Sequence, residues 1–166
     1  MRVSAAEDAN QSPLGRLEAG VSALVRWSES KHIRAEVARR SNCDLPASEL
    51  RLLEHFDLSE PMRISDIAEC LQIEVSTVSL QLRQIRRDGL VAAIPDERDR
   101  RITRIAITPS GRATMARVRA ARRDLLAEVL DQVPTADLDR TAEVLLLVQD
   151  HMLAGMRELL GLTTAD

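Results

Sequence analysis

Hydrophobic positions recur at three- and four-residue spacing over most of the chain, and the places where that rhythm fails mark its organisation. Leu14, Leu17, Val21 and Leu24 set the stripe of a first long helix that continues towards Val37. The run Ser41-Asn42-Cys43-Asp44-Leu45-Pro46 interrupts it as a loop, and Leu50, Leu53 and Phe56 then share one face of a second helix. Pro61–Ile64 is an extended piece, no more than an edge strand. Ser65 is placed to cap a short helix over Asp66–Leu71, with Ile67, Ala68 and Leu71 turned inward. A further helix over Val75–Arg87 carries Val78, Leu82 and Ile85 on one face, and Gly89 follows it as a left-handed stop. The period then falls to two. Leu90–Ile94 is a strand, Pro95–Arg100 a turn, and Ile102, Ile105 and Ile107 belong to a second strand.

The helical rhythm returns at Pro109, a first-turn proline, and carries Met115, Val118, Leu125, Leu126 and Val129 as far as about Leu130. A last helix over Ala136–Leu160 has Leu138, Leu145, Val148, Met152, Met156 and Leu159 on its apolar side. Within it Val144-Leu145-Leu146-Leu147-Val148 is apolar all round, which requires partners all round. A partner chain supplies them on one reading, a fully buried core helix on the other. The fold class is therefore mainly α with one small β-hairpin. Residues 47–108 are expected to form a winged helix-turn-helix, residues 14–46 and 109–166 the helical region around it, to which the resemblance described below gives the role of dimerisation, and residues 1–13 a polar, flexible N-terminus.

Composition narrows the class. Trp27 and Phe56 are the only aromatics besides the histidines, so stacking on single-stranded bases lacks its rings. The net charge of -3 excludes a uniformly basic surface but not a local one. Between Glu74 and Arg104 seven arginines face five acids, a small excess in a telling place. Lys31 is the sole lysine, so positive charge is almost entirely guanidinium, suited to bidentate phosphate and guanine contacts. The first ten residues have no apolar run of a leader, no stretch reaches the length of a membrane span, and the two cysteines lack metal-ligand spacing. A cytoplasmic protein with reduced thiols is expected. No phosphate-binding glycine loop, activated nucleophile or framed carboxylate pair is present, so no enzyme is expected, and no cofactor or metal.

The chemistry lies in the helix over Val75–Arg87 and the turn after it. Ser76 and Thr77 let the helix end approach phosphates, and Gln81, Arg83, Gln84 and Arg87 can reach base edges in a major groove. An ordinary solvated helix face reads equally well from these residues alone. In the turn Asp96-Glu97-Arg98-Asp99-Arg100-Arg101, carboxylates alternate with guanidinium groups. Asp96 and Asp99 are placed to hold the loop in order while Arg98, with Arg101, addresses a minor groove. The competing reading is a solvated turn with weak surface ion pairs.

With S-E-L-R-L-L (48–53), R-I-S-D-I-A-E-C-L (63–71), T-V-S-L-Q-L (77–82), D-G-L-V (88–91), D-E-R-D-R-R (96–101) and I-T-P-S-G (107–111), the chain resembles the MarR family of winged helix-turn-helix transcriptional regulators. Asp96, Arg98 and Arg101 match that family's wing pattern D-x-R-x-x-R. The resemblance implies a homodimer with intertwined first and last helices, bound to a pseudo-palindromic double-stranded operator. It implies a repressor released by a small aromatic effector. On the same basis Trp27, Asp57 and Arg86 are the candidate effector-binding residues. Glu74 stands where the family usually has a small N-cap, and Leu80 where it often has a basic residue, so operator sequence is left open. Two alternatives stand beside it: a redox-sensor variant of the same fold, with Cys43 in a loop as its thiol and Cys70 as a small core residue, and, from another class, a winged-helix interaction module without DNA binding.

Overall fold

The computed structural model describes residues 12–159. Its elements are α1 (Pro13–Glu29), α2 (Lys31–Ser41), α3 (Ala47–Leu58), α4 (Ile64–Leu71), α5 (Val75–Arg87), β1 (Val91–Pro95), β2 (Thr103–Ile107), α6 (Pro109–Val129) and α7 (Thr135–Leu159). Of the stretch 1–13 expected to be flexible, residues 1–11 lie outside the described residues. Ser12 and Pro13 instead start α1, the Ser12 hydroxyl accepting from the Gly15 amide at 3.0 Å with Pro13 in the first turn.

The single helix expected from Leu14 towards Val37 is two. Ser30 adopts an extended conformation and its hydroxyl accepts from the Ile33 amide at 3.2 Å, so it closes α1 and caps α2 at once. Periodic apolar spacing runs through the break and hides it. Ser65 is likewise not a cap: the N-cap of α4 is Arg63, and the Ser65 hydroxyl, inside the helix, bonds Asp66 Oδ1 at 3.0 Å.

Three helices end in the same way, each through a residue with positive φ: Asn42 (49°), Gln72 (53°) and Gly89 (67°). In each case the next amide reaches back to the last turn, Cys43 to the Ala38 carbonyl, Ile73 to Ala68 and Leu90 to Ile85. This closure satisfies carbonyls that the helix leaves over and turns the following residue towards the helix. It also corrects the expected strand ends. The Leu90 amide is engaged with the helix, so the ladder begins at Val91. The amide of Ile102, expected in the second strand, bonds Asp99 in the turn. β1 and β2 pair antiparallel with Val91 opposite Ile107 and Pro95 opposite Thr103, and Met62 adds a bridge to Ile105.

The chain divides after Arg123 into two compact units. In the first, α5 packs on α3 and α4, and β1 and β2 lie against α5 and α3. Leu52, Leu53, Phe56, Ile67, Val78, Leu82, Ile85, Ile105, Met115 and Val118 form its core, each at most 2% exposed. Such a side chain contributes about 2 to 3 kcal/mol by leaving water. Ion pairs of Arg119 with Asp57 and of Arg122 with Glu54 (2.7 Å), and an Arg117 bond to the Ser41 carbonyl (3.0 Å), fasten α6 across α2 and α3. In the second unit, α7 leaves Val144, Leu146, Leu147 and Met152 between 48% and 67% exposed. The expected apolar positions Met156 and Leu159, and the expected helix end at Leu160, lie outside the described side chains. Among the described residues no helix is long and apolar enough to cross a membrane.

Candidate nucleic-acid interface

The amphipathic pattern of α5 sorts its residues cleanly. Val78, Leu82 and Ile85 are at most 2% exposed, and the opposite face is left to solvent. Ser76, Leu80, Arg83 and Arg87 succeed one another at helical spacing along that face, all exposed, with Thr77 beside them and Gln81 and Gln84 half-buried at its flank. Glu74 is the N-cap, but its side chain makes no capping bond; the Thr77 amide donates instead to the Glu74 carbonyl at 2.9 Å. Gln84 is committed locally: its amide nitrogen lies 3.1 and 3.2 Å from the two Asp88 carboxylate oxygens.

The wing is ordered by its acids, and through the backbone more than through the arginines of the tip. Asp96, 5% exposed, accepts from the amides of Arg98 at 2.8 Å and Asp99 at 3.1 Å through Oδ1. Its other oxygen pairs with Arg104. These bonds hold its carboxyl down at about 2, the Arg104 guanidinium being the largest cause and the two amides the next. Arg104 also donates to the Pro61 carbonyl at 2.9 Å, tying the hairpin to the segment before α4. Asp99 accepts from the Arg101 amide at 3.0 Å, with the Arg101 side chain 3.6 Å away and 94% exposed. Arg98 projects to solvent from this fixed tip.

Arg104 is the functional residue that sequence reasoning missed. Four arginines follow Asp96 within eight positions, and only the strand register, with Arg104 opposite Ile94, selects the one that meets it. The root of the wing is equally constrained. The Thr108 hydroxyl donates to the Gly89 carbonyl at 2.7 Å and accepts from the Gly111 amide at 3.0 Å, capping α6. A Cβ at Gly111 would stand 2.2 Å from the Leu90 oxygen, so glycine is required there.

The candidate effector residues are not gathered. Asp57, on α3, is taken by Arg119, with Arg112 at 3.9 Å. Trp27 is half-buried on α1. Arg86 lines an open cleft of about 590 Å³ on α4 and α5 together with Ile64, Ser79, Leu82, Arg83 and Arg87. The cysteines are reversed from expectation. Cys43, read as the accessible loop thiol, is buried because the α2 closure draws it back, and Cys70, read as core, is exposed. Among the described residues no three His, Cys, Asp or Glu side chains could hold a metal ion.

Residues 45–111 match the family described as "Winged helix DNA-binding domain". The transcriptional activatory protein BadR of Rhodopseudomonas palustris is 33% identical over 104 residues, which are 62% of this chain and 59% of that protein. The uncharacterized HTH-type transcriptional regulator YxaD of Bacillus subtilis is 22% identical over 136 residues, 82% of this chain and 92% of its own. Among solved structures, the MarR family transcription regulator SP03579 superposes with a TM-score of 0.60 at 21% identity, over 90% of this chain and 99% of that one. At that identity the likeness is one of fold.

Proposed function

We propose that this chain, a winged helix DNA-binding protein with the fold of the MarR family transcription regulators, is a dimeric operator-binding regulator controlled by a small effector. The observation that carries the reading is the wing: a buried Asp96 fixes the backbone of the tip while Arg98 and Arg101 stay exposed beside an α5 face rich in hydroxyl and guanidinium groups. In this reading α5 enters the major groove, with Ser76 and Thr77 at phosphates and Gln81, Arg83 and Arg87 towards base edges. Arg98 enters the flanking minor groove, where narrow A·T-rich segments concentrate negative potential.

Exposed apolar side chains support the other half of the reading. The apolar residues of α1 and α7, Leu24 at 49% and Leu146 at 61% exposure among them, have the character of an interface within a homodimer. Two readers set about one helical turn apart then match a pseudo-palindromic site. An effector that binds one arrangement of the readers more tightly shifts the dimer towards it and weakens the DNA complex. Repression follows where the operator overlaps a promoter.

The test is binding of the full chain to its own upstream region across a salt series. Sequence-selective affinity that falls steeply with salt supports the reading; its absence at low salt overturns it.

A further inference from the structure

Leu80 is 63% exposed and stands in the middle of the outward stripe of α5, between Ser76 on one side and Arg83 and Arg87 on the other. A single exposed leucine is ordinary on a protein surface. Its position is not ordinary: the residues around it are those that face DNA if α5 is the reading helix. Gln84, one turn further along, has its amide nitrogen turned to Asp88. At Leu80 the face therefore presents a branched apolar side chain, with donors on either side of it. In the major groove, base edges display hydrogen-bonding groups and one apolar group, the methyl on C5 of thymine. A leucine that displaced water from a hydrogen-bonding edge would leave that edge unpaired, at a cost. Against a C5-methyl it loses nothing and removes apolar surface from water.

We propose that Leu80 is a specificity-determining residue that reads the C5-methyl group of a pyrimidine near the middle of each half-site. The inference rests on the reading of α5 as the helix in the major groove. Thymine supplies this methyl in ordinary DNA and 5-methylcytosine in modified DNA, and the two are separable. Duplexes selected by the full-length protein from a randomised library are expected to retain a thymine at one position per half-site. Replacing that thymine with deoxyuridine, which removes the methyl and keeps the pairing, is expected to weaken binding about fourfold, the worth of one buried methyl group. Leu80→Ala is expected to remove the thymine–uracil difference, and Leu80→Met, which keeps an apolar reach, to preserve it. Both variants should melt like the parent because the side chain is exposed. If only duplexes carrying 5-methylcytosine show the Leu80-dependent gain, the methyl is read and its source is the modified base. Tight, selective binding that is indifferent to uracil at every thymine and to methylation of every cytosine overturns the inference while leaving the regulator reading intact. Failure to enrich any duplex overturns both.

Discussion

Helices α5 and α7 are both rich in branched apolar residues, yet they use them in opposite ways. In α5 Val78, Leu82 and Ile85 lie inside the core, and the remaining positions are polar except for the exposed Val75 in the first turn and Leu80. In α7 the apolar residues are more numerous, and the run from Val144 to Val148 is at best half-buried within the chain. Apolar density along a sequence therefore does not measure how much a chain buries on its own. Helix α5 buries Val78, Leu82 and Ile85 against its neighbours, which leaves its opposite face free for the proposed recognition. The apolar surface of α7 is a demand on something else, which the proposed homodimer meets.

Four substitutions break or sharpen this contrast. The largest effect is expected for Phe56→Ala, which empties a site 1% exposed in the reading unit: about 3 to 5 kcal/mol of stability lost, read from chemical unfolding and independent of protein concentration. Leu147→Asp in α7 is expected to act through association, lowering the melting temperature of dilute protein more than of concentrated protein and shifting sedimentation towards the monomer. A concentration-independent effect there would dissolve the contrast. Arg98→Ala should cost about 1 to 3 kcal/mol of operator affinity while the melting temperature stays within error, since the side chain is exposed.

The smallest expected effect is local and concerns Asp96. Its carboxyl titrates near 2 when folded against 3.8 otherwise, so its contribution to the wing is complete above about pH 4 and is lost as the pH falls towards 2. Asp96→Asn should speed amide exchange at Arg98 and Asp99 at neutral pH, and should flatten the acid loss of wing order expected of the parent. Unchanged exchange at both amides would show that the tip is held by other means.

Much of the reading unit was legible because its signals are local. The limits of α5 follow from Val78, Leu82 and Ile85 and from Gly89 behind them, and the α6 start from Pro109. What escaped was tertiary or depended on a single cap. Arg104 meets Asp96 only through the pairing of two strands. Ser30 splits a stripe whose apolar period continues across it. Cys43 is hidden because Asn42, an unremarkable loop residue in the sequence, takes a left-handed conformation and folds the next residue inward. Asp57 faces Arg119 sixty-two positions away, a separation at which charge spacing carries no information.

The junction at Thr108 has a mechanical consequence. One hydroxyl joins the end of α5 to the start of α6, and Gly111 fits against the Leu90 carbonyl with no room for a methyl group. The rear of α5, the root of the hairpin and the first turn of α6 are thus welded at a single point. In the proposed dimer, a displacement carried by α6 is therefore expected to turn helix and wing together, like the jaw of a caliper whose tip keeps its shape.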